Sequence, residues 1–176
     1  RRQRQMCIRD RWYAVDNAAV QAVTNGGAVG VRNIIVSKEY NAALNTDSLT
    51  ITLPSGRKLY YISPQIYENQ WGSPSIAYMG MDQKTKKWKR LETYGGKLVE
   101  NCVQAIARDC LAGAITRLEE AGLPVVFHIH DEVVIDCRKD TASLEDVIRI
   151  MTEPIPWAPG LPLGADGWVG DFFRKD

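Results

Sequence analysis

The sequence predicts an α+β fold in which an antiparallel β-sheet packs against α-helices. Residues 97–121 carry apolar side chains at three- and four-residue steps, which is the spacing of an amphipathic helix. Paired segments with alternating polarity flank turn residues, which is typical of hairpins and therefore of antiparallel strands. With 176 residues and 45% hydrophobic content, the chain can bury one core, so we expect one domain or a piece of one.

The overall charge gives no reason to expect a nucleic-acid partner. Lys and Arg total 22 against 21 for Asp and Glu, so the formal net charge is +1 and any such case must be local. The cysteines Cys7, Cys102, Cys110 and Cys137 form no C-x-x-C pair, which argues against a zinc ribbon or a disulfide framework. Reduced thiols fit a cytoplasmic protein.

Neither terminus resembles a signal or a membrane anchor. No apolar run has membrane-spanning length, so no membrane partner is expected. The chain begins with arginine in helix-like sequence, and we expect a fragment of a larger gene product.

The first half predicts one helix followed by strands. Apolar residues at helical spacing predict a helix over 5–23, within the leading segment 1–24, that ends at Asn25 and Gly26. Two alternating segments around Pro54-Ser55-Gly56 predict a hairpin over 49–62. Residues 63–74 are rich in Pro, Asn, Gly and Ser, which predicts an irregular loop.

A basic cluster, KTKKWKR, lies in the next predicted hairpin, whose strands are IAYMGM (76–81) and KKWKRL (86–91). Such runs are most often solvated, and that interpretation is favoured. A basic run with an embedded aromatic residue also suits contact with nucleic acid, which is the alternative.

The second half centres on the long helix over 97–121, which Gly122 and Pro124 end. A β-prone run over 125–137 predicts a second hairpin, interrupted by His-Asp-Glu. Ser143 opens a short helix that reaches residue 151, and WVGDFF at 168–173 has the pattern of a final strand.

Four polar residues, Lys97, Asn101, Gln104 and Arg108, fall within an arc of about 60° on the long helix, at about 100° per residue. Two cations that bracket two amides could combine phosphate contacts with hydrogen bonds to base edges. An ordinary exposed face is the alternative for this feature alone.

The segment His128-Ile129-His130-Asp131-Glu132 places charge inside an apolar run. Burying unpaired carboxylates is costly, so they should lie at an exposed turn, bind a cation, or both. Asp131 could offer hard oxygen ligands to Mg²⁺. A zinc site is the competing chemistry, but two histidines without a well-spaced cysteine leave it short of ligands.

Taken together, TYGGKLVENCVQAIARDCLA and HIHDEVVID resemble family A DNA polymerases, in particular those of phages and prophages. LPSGRKLYY and WYAVDNAAVQAV resemble the same family in the same order, so the resemblance runs from near Arg9 to the end. It implies that residues 1–176 are the C-terminal part of a polymerase palm domain. Residues 1–24 would lead in from the fingers, and 97–121 would be the helix that faces the DNA.

The resemblance also implies roles for single residues. Asp131 matches the family's second metal-binding aspartate, and Glu132 is a supporting carboxylate beside it. His130 would lie near the primer terminus. Asn101 and Gln104 match the readers of the minor groove, and Lys97 would touch the primer backbone. Arg57 in the first hairpin is a weaker candidate for a contact with the DNA backbone. Arg108 is a candidate for DNA binding from the polar stripe and not from the resemblance, since the family commonly has a small residue there.

The implied function is DNA-directed DNA polymerase: nucleotidyl transfer to a primer 3′ hydroxyl with two Mg²⁺ ions. Its partners would be primer-template DNA, deoxynucleoside triphosphates and the remainder of the same polypeptide. The family's first metal aspartate, in a D-Y-S strand, and its fingers helix are not found in the sequence, so the isolated chain is predicted to be inactive. The alternatives are a non-catalytic module that binds duplex DNA and a metal-dependent hydrolase that uses His128, His130 and Asp131.

Overall fold

The computed structural model describes residues 2–173, with side chains from residue 8 onward. Its helices and antiparallel strands confirm the α+β class. The chain divides within its longest helix into two compact units, residues 1–104 and residues 105–176.

The first unit combines a helix with a six-stranded sheet in which every strand pairs with its sequence neighbour, antiparallel throughout. The predicted leading helix is present and extends two residues past residue 23. The elements are α1 (Arg2–Asn25), β1 (Ala28–Val31), β2 (Ile34–Asn41), β3 (Thr46–Thr52), β4 (Lys58–Glu68), β5 (Pro74–Met81), β6 (Trp88–Thr93) and the start of α2 (Gly95–Glu120).

The core of this unit lies between α1 and the sheet, which are in contact along β1 to β5. Helical spacing turns one face of α1 inward, and the strands supply mainly aliphatic partners. The buried residues include Val15, Ala18, Ala19, Ala22 and Val23 from α1, Val36, Leu49, Ile51, Tyr61 and Ile76 from the sheet, and Leu53 just past β3.

The hairpin predicted over 49–62 is confirmed, because β3 pairs with β4 and Leu49 lies opposite Tyr61. Gly56 has φ +85°, a conformation that glycine adopts without steric cost. In the turn, the Leu53 amide donates to the Arg57 carbonyl at 2.8 Å.

The irregular loop predicted over 63–74 is wrong for its first half, since β4 continues to Glu68. The pairing with β5 shifts register between Ile62 and Gln65, and Ser63 has φ +49°. Such a bulge accommodates Pro64, which has no N–H for the ladder, and the strand resumes beyond it. The strands predicted over 76–81 and 86–91 are confirmed as β5 and β6; β5 begins two residues earlier, and β6 is shifted by two residues at both ends.

The second unit holds the rest of α2, a two-stranded sheet and a short helix: β7 (Val125–Ile129), β8 (Glu132–Ile135) and α3 (Leu144–Met151). Leu118, Leu123 and Ile150 form its buried centre. α2 ends at Glu120, and in the turn through Gly122 that follows, the Leu123 amide donates to the Leu118 carbonyl at 2.9 Å. Ser143 caps α3 through a reciprocal bond with Asp146, as its position predicted.

The strand predicted over 168–173 is wrong: no strand is present there. β7 and β8 pair only with each other in the described part of this unit, so residues 168–173 take part in no strand pairing. Phe173 instead packs edge-on against Phe127, with ring centroids 5.2 Å apart.

Candidate functional site

The hairpin of β7 and β8 places His130 and Asp131 at its tip. Ile129 pairs with Glu132, which leaves these two residues as the turn. His130 has φ +52°, a left-handed conformation that costs a non-glycine residue about 1–2 kcal/mol. Unusual backbone at an exposed polar turn is a feature that clusters at functional sites.

The carboxylates of Asp131 and Glu132 are both exposed at this tip, as are His128 and His130. The prediction of a hairpin over 125–137 with its acidic residues at an exposed turn is therefore confirmed. Apolar side chains of the same strands, Val125, Val133 and Ile135, turn to the buried centre instead. The charged residues thus lie toward the turn, and the residues packed on the core lie toward the open end of the hairpin.

The side chains at this end of the hairpin suit Mg²⁺ better than zinc. Among the described residues, no three His, Cys, Asp or Glu side chains converge on a point that could hold a metal ion. His128, His130 and Asp131 therefore do not form the ligand cluster that zinc or a hydrolase would need. Mg²⁺ is commonly held by one or two carboxylates plus water and substrate phosphates, and Asp131 with Glu132 fits that smaller requirement.

The predicted polar stripe lies on a continuous helix, since α2 spans Gly95–Glu120. Lys97 and Gln104 are exposed within residues 1–104, and Arg108 is exposed within residues 105–176. Lys97 is not a free cation: its Nζ lies 3.0 Å from Oε2 of Glu100, and this hydrogen bond raises the pKa of Lys97. The positive charge of Lys97 on this face of α2 is therefore partly balanced by Glu100, which the residue spacing did not indicate.

Asn101 is half-buried and already bonded. Its Nδ2 donates to the hydroxyl of Tyr61 on β4 at 3.0 Å. Tyr61 is only 4% exposed, and its burial raises the pKa of the phenol to about 12. The hydroxyl is therefore a neutral, fixed partner for the amide.

Two further basic features are exposed. Arg57 lies in the turn between β3 and β4. In the turn between β5 and β6, Lys84, Lys86 and Lys87 are exposed beside Trp88. The solvated hairpin is consistent with this exposure, and contact with nucleic acid stays a hypothesis.

That second turn is organised by Asp82. Its Oδ1 accepts from the amides of Lys84 and Thr85 at 3.0 and 2.7 Å, and its Oδ2 pairs with Lys89 at 2.8 Å. These contacts hold the pKa of Asp82 well below its usual range.

Two residues near α2, Tyr61 and Asp16, were not predicted from the sequence as site residues. Tyr61 bonds Asn101 across 40 positions of sequence, a separation at which no local pattern operates. Asp16 on α1 accepts a hydrogen bond from the amide of Gly95, where α2 begins. A charged residue inside the apolar face of a predicted helix is the one signal that could have drawn attention to Asp16.

Comparison with known proteins links the chain to a phage enzyme. The chain is 45% identical over 166 residues to the DNA polymerase of Bacillus phage SP02, and the match covers 94% of this chain. The chain spans about a quarter of that relative's length, 25%. No family model matches, and no solved structure matches. No helix in the described residues is long and apolar enough to cross a membrane.

Proposed function

We propose that this chain is part of a DNA-directed DNA polymerase that adds deoxynucleotides to a primer 3′ hydroxyl. The observation that carries the proposal is the 45% identity to a phage DNA polymerase across 94% of the chain. At this identity the two chains are expected to share the fold and much of the chemistry of the matched segment.

The finer assignment is to the C-terminal palm of a family A polymerase of phage or prophage type, acting in the cytoplasm. It is supported by four motifs that occur in the family's order, from WYAVDNAAVQAV to HIHDEVVID. The antiparallel sheet and the exposed turn of β7 and β8 are compatible with that assignment.

Asp131 is proposed as the metal ligand and Glu132 as its supporting carboxylate. Both are exposed at this end of the hairpin, so the fold itself does not bury either carboxylate and a cation can reach them. Mg²⁺, when bound, supplies the positive charge that favours ionisation of the primer hydroxyl and stabilises the leaving pyrophosphate. His130, in the same turn, is proposed to contact the primer terminus.

The α2 residues are proposed to contact duplex DNA. Lys97 and Arg108 would meet phosphates, while Asn101 and Gln104 would donate to minor-groove acceptors that all base pairs share. Arg57 is proposed as a weaker backbone contact. The expected partners are primer-template DNA, deoxynucleoside triphosphates and the remainder of the polymerase polypeptide.

A two-metal reaction also needs the family's first metal aspartate, which the sequence does not supply in a D-Y-S context. The chain alone is therefore expected to be inactive in primer extension. For this reason the activity is best tested with this chain inserted into a full-length polymerase.

The experiment replaces the matched segment of the phage SP02 polymerase with this chain and measures primer extension with Mg²⁺ and four deoxynucleotides. We expect the chimera to extend the primer and Asp131→Asn to abolish extension. Asp136→Asn is the matched control, because Asp136 is an exposed aspartate just past β8 and outside the turn. Loss of activity in both variants, or in neither, contradicts the assignment to Asp131.

A non-catalytic module that binds duplex DNA is the second candidate. The observation that favours it is the face of α2 on which Gln104 and Arg108 are exposed, because these side chains can meet a duplex without any reaction. An inactive chimera that folds and still binds primer-template DNA would support this candidate and overturn the catalytic one.

A further inference from the structure

The ring of Tyr61 is a rigid support at the centre of the first unit. It lies opposite Leu49, which is fully buried, and meets Tyr78 edge-on with centroids 5.0 Å apart and planes at 89°. Edge-to-face packing of this kind fixes ring orientation as well as position. The hydroxyl oxygen is therefore held at one point.

Asn101 on α2 reaches that point. A carboxamide has two N–H donors and one acceptor oxygen, and a rotation of about 180° exchanges its two ends. In the structure Nδ2 donates to the Tyr61 hydroxyl at 3.0 Å, so one N–H is bound to the protein and the Nδ2 end faces β4. The second N–H and Oδ1 then have defined directions at the half-buried edge of the helix.

The minor groove presents hydrogen-bond acceptors at every base pair. Purine N3 and pyrimidine O2 are acceptors, so a residue that reads them must present a donor rather than an acceptor. An unrestrained asparagine would present either end, and half of its orientations would place an oxygen against an acceptor. In the structure the bond from Nδ2 to the Tyr61 hydroxyl at 3.0 Å holds the carboxamide in one orientation.

We propose that Tyr61 is a positioning residue that orients the Asn101 carboxamide so that its second N–H donates to a minor-groove acceptor of bound DNA. This inference rests on the proposed function, because it needs Asn101 to contact duplex DNA. It goes beyond that function in assigning a role to a buried core residue that has no access to DNA itself.

The test compares two primer-template duplexes in binding to this chain, measured by fluorescence anisotropy. One has adenine at the primer 3′ end, and the other has 3-deazaadenine, which lacks only the minor-groove acceptor. For one net hydrogen bond we expect the natural duplex to bind about five- to ten-fold more tightly. Asn101→Asp keeps a partner for Tyr61 but removes the donor, and should bind the two duplexes equally.

Tyr61→Phe removes only the hydroxyl and should reduce the discrimination to about two-fold or less. Tyr78→Phe is the matched control, because it removes a hydroxyl from the ring that packs against Tyr61, and it should retain full discrimination. Thermal unfolding of each variant shows whether a lost discrimination between the two duplexes is due to unfolding of the variant. If Tyr61→Phe unfolds at the assay temperature, binding of the two duplexes is measured at a lower temperature at which this variant is folded, with the same expected result.

The possible outcomes separate the two proposals. Discrimination lost in Asn101→Asp but kept in Tyr61→Phe would overturn the role of Tyr61 and leave the proposed function standing. No discrimination by the parent chain, or no DNA binding, would overturn both the role of Asn101 as a reader and the inference built on it.

Discussion

The carboxyl group of Asp16 on α1 accepts a hydrogen bond from the backbone amide of Gly95, the first residue of α2. Its Oδ1 is buried and has no hydrogen-bond partner within the described structure. Burial outweighs the hydrogen bond and raises the pKa of Asp16 above its ordinary 3.8. One side chain thus ties the two helices together at an electrostatic cost.

The raised pKa predicts a pH dependence of stability. In the folded chain Asp16 holds its proton to higher pH than in the unfolded chain, so the free energy of unfolding falls as pH rises from 3.8 through the raised value. Asp16→Asn keeps an acceptor but cannot ionise. Urea unfolding across this range should show a flatter pH profile for the variant and greater stability near neutral pH.

The control for Asp16 is Asp10→Asn, because Asp10 lies on the same helix and is exposed. It should retain the pH profile of the parent chain. Parallel profiles for Asp16→Asn and the parent would contradict the assigned role of Asp16.

Gly95→Ala is expected to destabilise the chain strongly. A Cβ at this position would lie 2.1 Å from the carbonyl oxygen of Trp12, a backbone atom that cannot move aside alone. Overpacking of this kind costs about 1–3 kcal/mol or more in urea unfolding. The contrasting variant is Gly113→Ala on the same helix, where the nearest atom is a mobile Arg117 nitrogen at 3.5 Å.

Gly113→Ala should stabilise the chain by about 0.5–1 kcal/mol, because alanine restricts the unfolded chain more than glycine does. A stabilising effect at Gly95 would show that α1 and α2 are not in close contact there.

Arg117→Lys is expected to loosen the end of α3. The guanidinium donates from Nε to the Ile150 carbonyl at 3.0 Å and from Nη2 to the Met151 carbonyl at 3.2 Å, and lysine cannot reproduce this fork. A loss of about 1–3 kcal/mol in urea unfolding is expected, with faster amide exchange in α3.

Arg149→Lys serves as the matched control for Arg117. Its side chain is 64% exposed and also approaches Glu153, so its replacement should change stability by less than about 0.5 kcal/mol. Equal effects of the two substitutions would mean that the carbonyl contacts of Arg117 contribute nothing.

The cysteines should differ in reactivity. Cys102 is 5% exposed, and burial raises the pKa of its thiol to about 11, whereas Cys137 is exposed. Because the thiolate is the reacting form, iodoacetamide should label Cys137 in the native chain and Cys102 only after unfolding. Peptide mapping by mass spectrometry distinguishes them, and equal native labelling would contradict the buried position of Cys102.

Arg108→Ala should weaken duplex binding at every sequence and reduce the slope of log affinity against log salt by about one. Its control is Lys139→Ala, since Lys139 is 87% exposed and paired with Asp171. Filter binding across salt concentrations gives both slopes. An unchanged slope for Arg108→Ala would remove this residue from the proposed contacts.

The sequence determined the elements that depend on local periodicity and turn chemistry. The two long helices, the hairpin over 49–62 and the charged tip at His130 and Asp131 follow from residue spacing and glycine positions, which act within a few residues. The polymerase hypothesis also follows from the motifs and their order along the chain. The strand predicted over 168–173 failed because a strand also needs a partner.

Tertiary structure alone decided which polar groups meet across the sheet and helices. The bond between Asn101 and Tyr61 joins residues that are 40 positions apart in the sequence. The approach of Gly95 to Trp12 joins two helices between which all six strands of the sheet lie in the sequence. Continuation of β4 past Pro64 likewise required the ladder of β5. These contacts depend on side-chain packing and long-range pairing, whose energies are fixed only when distant segments come together.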